Sequence, residues 1–178
     1  DHRNLHSFPT RRSSDLEIDE NGYVYATLPA NTTKKVPVIA FIAHVDTSPA
    51  VSGENVNPII HKNYQGGDIV LPKDSTKVIS PKENPVLDGM IGYSIITTDG
   101  TTLLGADDKA GIAEIIDAIN YLVTHPEIKH GTIKVCFTPD EEVGRGTEKI
   151  NLEKLGADFA YRSEERRVGK ECRSRRSP

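Results

Sequence analysis

Cysteine is almost missing from this chain. Two are present among 178 residues, and one of them, Cys172, lies in a C-terminal stretch set aside below. Cys136 remains, inside an apolar run, so no disulfide can close within the part expected to fold. That excludes a disulfide-stapled secreted domain and suits a reducing cytoplasm. Cys136 itself reads as a packing residue, since no nucleophile motif surrounds it. Long hydrophobic runs are missing too. Nothing approaches the roughly 20 apolar residues of a membrane-spanning helix, and no secretory signal pattern is present. GxSxG, Walker-type and zinc-finger spacings are also absent. Lys109 lacks the glycine-rich loop that a phosphate-binding lysine needs.

The two ends of the chain stand apart from the rest. A coding sequence for residues 162–172 (RSEERRVGKEC), read as its reverse complement one base out of frame, encodes residues 6–15 (HSFPTRRSSD). The shared DNA resembles a sequencing-adaptor oligonucleotide. Residues 1–16 and 162–178 are therefore expected to be adaptor-like flanks outside the fold, too polar to bury much surface.

Setting the flanks aside changes the charge. The whole chain carries 22 Lys and Arg against 26 Asp and Glu, a net of −4. Residues 17–161 carry 12 against 21, a net of −9. Such acidity suits a cation-dependent site. It argues against a nucleic-acid surface, which needs clustered Lys and Arg.

The pattern of elements is coarse but readable. Residues 19–22 (DENG) signal a hairpin turn, and 23–28 alternate into a strand. Residues 36–43 (VPVIAFIA) form a continuous apolar run, as in a strand buried on both faces. Residues 47–94 are rich in Gly, Pro, Asn and Lys, with a small hairpin expected from 68–71 and 77–80. Residues 95–104 (IITTDGTTLL) read as strand, turn and strand. The best helix is 109–124, with Ile112, Ile115, Ile116, Ile119, Leu122 and Val123 on one stripe. His125-Pro126 ends it. A strand at 132–138, a short helix at 147–155 capped by Thr147, and a strand from 158 complete the series. The expectation is an α/β fold with helices covering the sheet, and with the strands at 36–43, 97–104 and 132–138 as neighbours.

Three clusters sit where these apolar strands run out. They are His44-Val45-Asp46, Asp107-Asp108 and Asp140-Glu141-Glu142. Ligands collect at the carboxyl ends of strands in open α/β sheets. Imidazole mixed with carboxylates suits a borderline metal such as zinc. Each cluster also has a plainer reading. His44 can be a structural histidine, although Asp46 at i+2 points the same way in an extended segment and can orient a ligand imidazole. Asp107-Asp108 can cap the helix and complement its dipole, or Asp107 can bridge two metals. The acidic run can be a solvated loop. Two adjacent Glu can equally divide two tasks, one binding metal and the other taking the proton of an attacking water. His61, His125 and His130 have no spaced partner and read as surface residues.

HVDTS at 44–48, TTDGTTLLGADDKAGIAEI at 97–115 and TPDEEVGRG at 138–146 resemble the di-zinc M20 metallopeptidases. The wording is most similar to a tripeptide-cleaving aminopeptidase branch. The resemblance covers 17–161, which would be the N-terminal part of the catalytic domain. It implies a three-layer mixed α/β sheet with flanking helices and two zinc ions per intact site. Carried over position by position, His44 binds one zinc, Glu142 binds the second, Asp107 bridges both, Glu141 is the general base, and Asp46 orients His44. A cis peptide between Asp107 and Asp108 belongs to the same pattern.

The resemblance further implies a short-peptide substrate, a cytoplasmic location, a homodimeric parent, and neither nucleic acid nor membrane as partner. After Tyr161 the family carries a Thr-Val-Asp-Gly stretch whose Asp is a further ligand. Here Arg162 follows instead, and the family's later His ligand is also missing, so this chain alone is expected to be inactive. Two alternatives stay open. One is another M20 activity, such as a dipeptidase, an amino-acid deacylase or a carboxypeptidase. The other is a non-catalytic metal-binding module.

Overall fold

The computed structural model describes residues 16–163. The flanks assigned to 1–16 and 162–178 therefore lie almost wholly outside the described residues, with His2, His6 and Cys172 among them. The chain divides into two units, one comprising residues up to Thr47 and from Ala106 onward, the other Ser48–Gly105.

The first unit is built on a five-stranded mixed sheet. Its strands are β1 (Leu16–Ile18), β2 (Val24–Leu28), β3 (Ile39–His44), β8 (Ile133–Thr138) and β9 (Phe159–Arg162), in the order β1-β2-β8-β3-β9. β1 and β2 form the expected hairpin. Asp19 Oδ1 accepts the backbone N–H groups of Asn21 and Tyr23 across its turn, and Gly22 takes φ 84°. β2 runs antiparallel to β8, while β3 lies parallel to both β8 and β9. The ends of β3 and β8 thus point the same way, with His44 opposite Thr138.

Side-chain alternation explains why these central strands are apolar throughout. Ala43, Ile133, Val135 and Phe137 pack on one face with Ile115 and Ile119 of α1 (Ala106–Thr124). Ala40, Ile42 and Cys136 face the other side, with Tyr23, Tyr25 and Leu155. The result is three layers: α1, the sheet, and α2 (Leu152–Leu155). Tyr23 and Tyr25 also use their phenol oxygens, which accept the backbone N–H groups of Lys149 and Asn151 and hold the approach to α2. Burial, reinforced by the charge of Asp19, pushes the Cys136 thiol up to about 12, as expected of a packing residue.

Several boundaries differ from the sequence expectation. β3 starts at Ile39 rather than at residue 36, because Pro37 has no N–H to give a ladder. α2 spans four residues only, and its cap is Asn151, whose side chain accepts the Lys154 N–H; Thr147 does not cap it. Val123 is 37% exposed, off the buried stripe of α1. β9 runs on through Arg162, which pairs with Ile42, past the boundary expected after Tyr161.

The second unit holds two small antiparallel pairs. β5 (Ile69–Leu71) pairs with β6 (Asp74–Ile79), close to the hairpin expected there. β4 (Pro58–His61) pairs with β7 (Ile95–Thr98), and β4 was not legible in the sequence. A 3-10 helix spans Pro85–Met90. Tyr64, Ile69, Leu71 and Leu87 form the core of this unit.

β7 corrects the expectation that 97–104 joins β3 and β8. Its partner is β4, in a separate two-stranded sheet, and it stops at Thr98. The Asp99 side chain ends the strand by accepting both the N–H and the hydroxyl of Thr101, while Gly100 takes φ 103°. Lys73 and Asn57 also reach the Asp99 carboxylate. The Thr101 hydroxyl and amide, then Lys73 and Asn57, hold that carboxyl well below the usual range. Among the described residues no helix is long and apolar enough to cross a membrane.

Candidate metal centre

His44 ends β3 and is fully buried. Its neighbour Val45 donates its N–H to Thr138 O at 2.9 Å, so the chain leaves the ends of both parallel strands together. The ring is held at both nitrogens. Nδ1 lies 2.9 Å from the backbone oxygen of Asp46 and 3.2 Å from Asp46 Oδ1. Nε2 lies 3.0 Å from Asp107 Oδ1.

Asp107 and Asp108 sit at the start of α1, but neither has helical backbone angles, and the peptide bond between them is cis. Their side chains part company there. Asp107 is 76% exposed and turns its carboxylate to His44. Asp108 is buried, and its Oδ2 accepts the His44 N–H at 3.3 Å and the Ser163 hydroxyl.

The acidic run follows β8 directly. Asp140 takes φ 61°, unusual for a residue with a side chain, and Gly144 takes φ 76°. Arg145 N–H closes back on Asp140 O and Gly144 N–H on Glu141 O, each at 2.8 Å. These turns bring the two Glu back over the sheet end. Glu141 Oε2 lies 3.8 Å from His44 Nε2, and its Oε1 lies 3.2 Å from Arg162 Nη2. Asp46 Oδ1 accepts the Glu141 N–H at 3.2 Å and Oδ2 the Glu142 N–H at 3.0 Å. Burial alone would raise the Asp46 carboxyl. The amides of Glu142 and Glu141, with Asp46's own amide and the neighbouring His44, hold it below the ordinary aspartate value instead.

His44, Asp107 and Glu142 each offer a ligand atom, and these atoms all lie within 4.8 Å of one another. Ligands at zinc bond lengths of about 2.0–2.2 Å in a tetrahedral array stand roughly 3.3 Å apart, so small side-chain movements suffice to close on an ion. The donor set, one imidazole and two carboxylates, fits a borderline divalent metal. The three separate sequence clusters therefore meet, and Asp46 and Glu141 stand at the edge of the group. His61 and His130 are half-buried and bond to Thr97 and Gly131; His125 bonds to Tyr121. Arg162 and Ser163, which the sequence reading assigns to the adaptor-like flank, also lie here. Only the parallel pairing of β9 with β3 brings them to this end of the sheet.

No protein-family model matches the chain. Peptidase T of Listeria innocua is 62% identical over 147 residues, which are 83% of this chain and 36% of that protein. The crystal structure of aminopeptidase PepT from Bacillus cereus superposes with a TM-score of 0.59 at 29% identity, over 83% of this chain and 32% of the other. A tripeptidase from Staphylococcus aureus gives 0.58 at 29% identity, over 83% and 33%. The chain spans about a third of the length of the relatives it matches. Over most of its own length, this chain is homologous to about a third of the peptidase T proteins.

Proposed function

We propose that this chain carries part of the active site of a zinc-dependent aminopeptidase that releases the N-terminal residue from tripeptides. The observation that carries the reading is the convergence of His44, Asp107 and Glu142 within 4.8 Å, with Glu141 beside them. The names of its relatives, peptidase T and a tripeptidase, support the substrate class.

In this reading His44, Asp107 and Glu142 hold the metal. Zinc is proposed from the imidazole and carboxylate donors. Two ions are proposed from the family resemblance, and the exposed carboxylate of Asp107 would be the ligand they have in common. Metal bound there supplies Lewis acidity toward a peptide carbonyl and lowers the pKa of water.

The chain's own residues do the rest. His44 presents Nε2 to the site while Nδ1–H donates to Asp46. Glu141 stands outside the ligand trio, within 3.8 Å of His44 Nε2. Its carboxylate takes the proton of the attacking water and returns it to the amine that leaves. A cytoplasmic location and a homodimeric parent complete the proposal, both carried over from the resemblance; the single cysteine in the fold supports the first.

The test joins residues 17–161 of this chain to the sequence that follows them in the Listeria innocua relative and measures alanine release from trialanine with and without zinc. Zinc-dependent release supports the reading. Preference for a dipeptide or an N-acyl amino acid would assign a different hydrolase activity. Zinc binding with no hydrolysis of any of these would leave a metal-binding module.

A further inference from the structure

Asp46 makes two kinds of contact, and they are distributed over different atoms. Its carboxylate oxygens take one amide each from two consecutive residues, Glu141 N–H at 3.2 Å and Glu142 N–H at 3.0 Å. His44 Nδ1 lies nearer the Asp46 backbone oxygen, at 2.9 Å, than its Oδ1, at 3.2 Å. The turns inside the acidic loop are local, Gly144 to Glu141 and Arg145 to Asp140. They shape the loop without tying it to β3. The Asp46 carboxylate does tie it there, two residues beyond the end of that strand.

We propose that Asp46 is a positioning residue whose carboxylate clamps the Glu141–Glu142 backbone against the end of β3, while its carbonyl oxygen accepts from His44 Nδ1. The proposal rests on the reading of His44, Glu141 and Glu142 as one site. The clamp links a ligand from one sequence cluster to a ligand and a base from another. A carboxylate is needed for this, because it accepts at both oxygens. An asparagine in its place offers one acceptor and turns an NH₂ group toward the second amide. The His44 contact to the backbone survives that substitution unchanged.

The experiment uses the metal-free, isotope-labelled 178-residue chain and its Asp46→Asn variant. In the unsubstituted chain, a scalar coupling through the hydrogen bond should connect the Glu142 amide nitrogen to the Asp46 carboxylate carbon. The ring ¹⁵N shifts of His44 should show a proton on Nδ1. In the variant, that proton should persist, while the Glu141 and Glu142 amides exchange about tenfold faster or more, as expected on loss of a hydrogen bond to a charged acceptor. Zinc affinity should fall by about 10–100-fold, as for other partners that orient a ligand set.

Loss of the His44 Nδ1 proton with unaltered Glu141 and Glu142 amides would overturn the clamp. If the variant does not fold, the coupling in the unsubstituted chain decides, and its absence overturns the proposal. Zinc titration of the unsubstituted chain is scored separately. A chain that shows the coupling but binds no zinc sinks the metal reading and leaves the clamp standing.

Discussion

Gly146 lies directly against Glu141. A Cβ added at Gly146 would stand 2.9 Å from Glu141 Cα and 3.0 Å from its Cβ. The contact is with backbone, so a methyl group cannot be accommodated by rotating a side chain. Gly146→Ala should therefore displace the acidic loop. Overpacking of this kind costs about 1–3 kcal/mol. Zinc affinity should fall with stability, since Glu142 moves too. Gly144→Ala is the comparison, because nothing lies within 4 Å of its added Cβ and only its φ of 76° is disturbed. Denaturant midpoints and zinc titrations of both variants would be compared. Equal zinc affinity in the Gly146 variant and the parent would show that the Gly146 contact does not hold the site.

Glu141→Gln should separate metal binding from proton transfer. In the chain extended with the relative's downstream sequence, zinc content should stay near normal. Turnover of trialanine should drop by about 10²–10⁴-fold, because the amide takes no proton. Elemental analysis and hydrolysis would be measured on the same preparation. A variant that turns over at near-parental rate removes Glu141 from the base role.

The 178-residue chain by itself should cleave no tripeptide and bind zinc weakly. Three ligand atoms converge among the described residues, shared in this reading between two ions. Catalytic zinc usually takes three protein ligands of its own. Arg162 also engages Glu141 Oε1 at 3.2 Å, on the carboxylate assigned to proton transfer. Hydrolysis by the short chain at a rate comparable to the extended one would refute the ligand assignment.

Asp99 should make the second unit acid-sensitive. Thr101, Lys73 and Asn57 hold its carboxyl below the usual range, so the folded value is depressed relative to the unfolded one. Its contribution is fully present above the unfolded value of about 3.9 and is lost as pH falls through the folded value. Carbon shifts of the Asp99 carboxyl across an acid titration should show a midpoint below that of a free aspartate. Amide exchange at β7 should quicken in the same range, and Asp99→Asn should flatten that dependence. A midpoint at the ordinary aspartate value would contradict the network.

Much of the framework is legible in the sequence itself. The runs at 36–43 and 132–138 are apolar at every other position and largely in between, and that holds only where both faces are covered. The α1 stripe and its stop at His125-Pro126 follow from helical period and proline geometry. The three acidic and imidazole clusters are visible because each breaks an apolar run abruptly.

The rest depended on long-range placement. A strand's pairing partner is set by which edge is free when the chain returns, not by its own residues. That is why β7 joined β4 and not β3, and why β4 went unseen. Arg162 and Ser163 lie at the site through the parallel pairing of β9 with β3, a long-range placement that no local pattern encodes. Asp46 at i+2 from His44 pointed to an imidazole partner, and spacing alone has nothing to say about amides some 95 residues away. Sequence by itself determined which residues are chemically able to hold a metal, because side-chain type and apolar periodicity are local properties. Only the tertiary structure decided that the ligand atoms of His44, Asp107 and Glu142 come within 4.8 Å of one another. Their meeting depends on β3, β8 and α1 packing into one body, and distances across a fold are not written in any single segment.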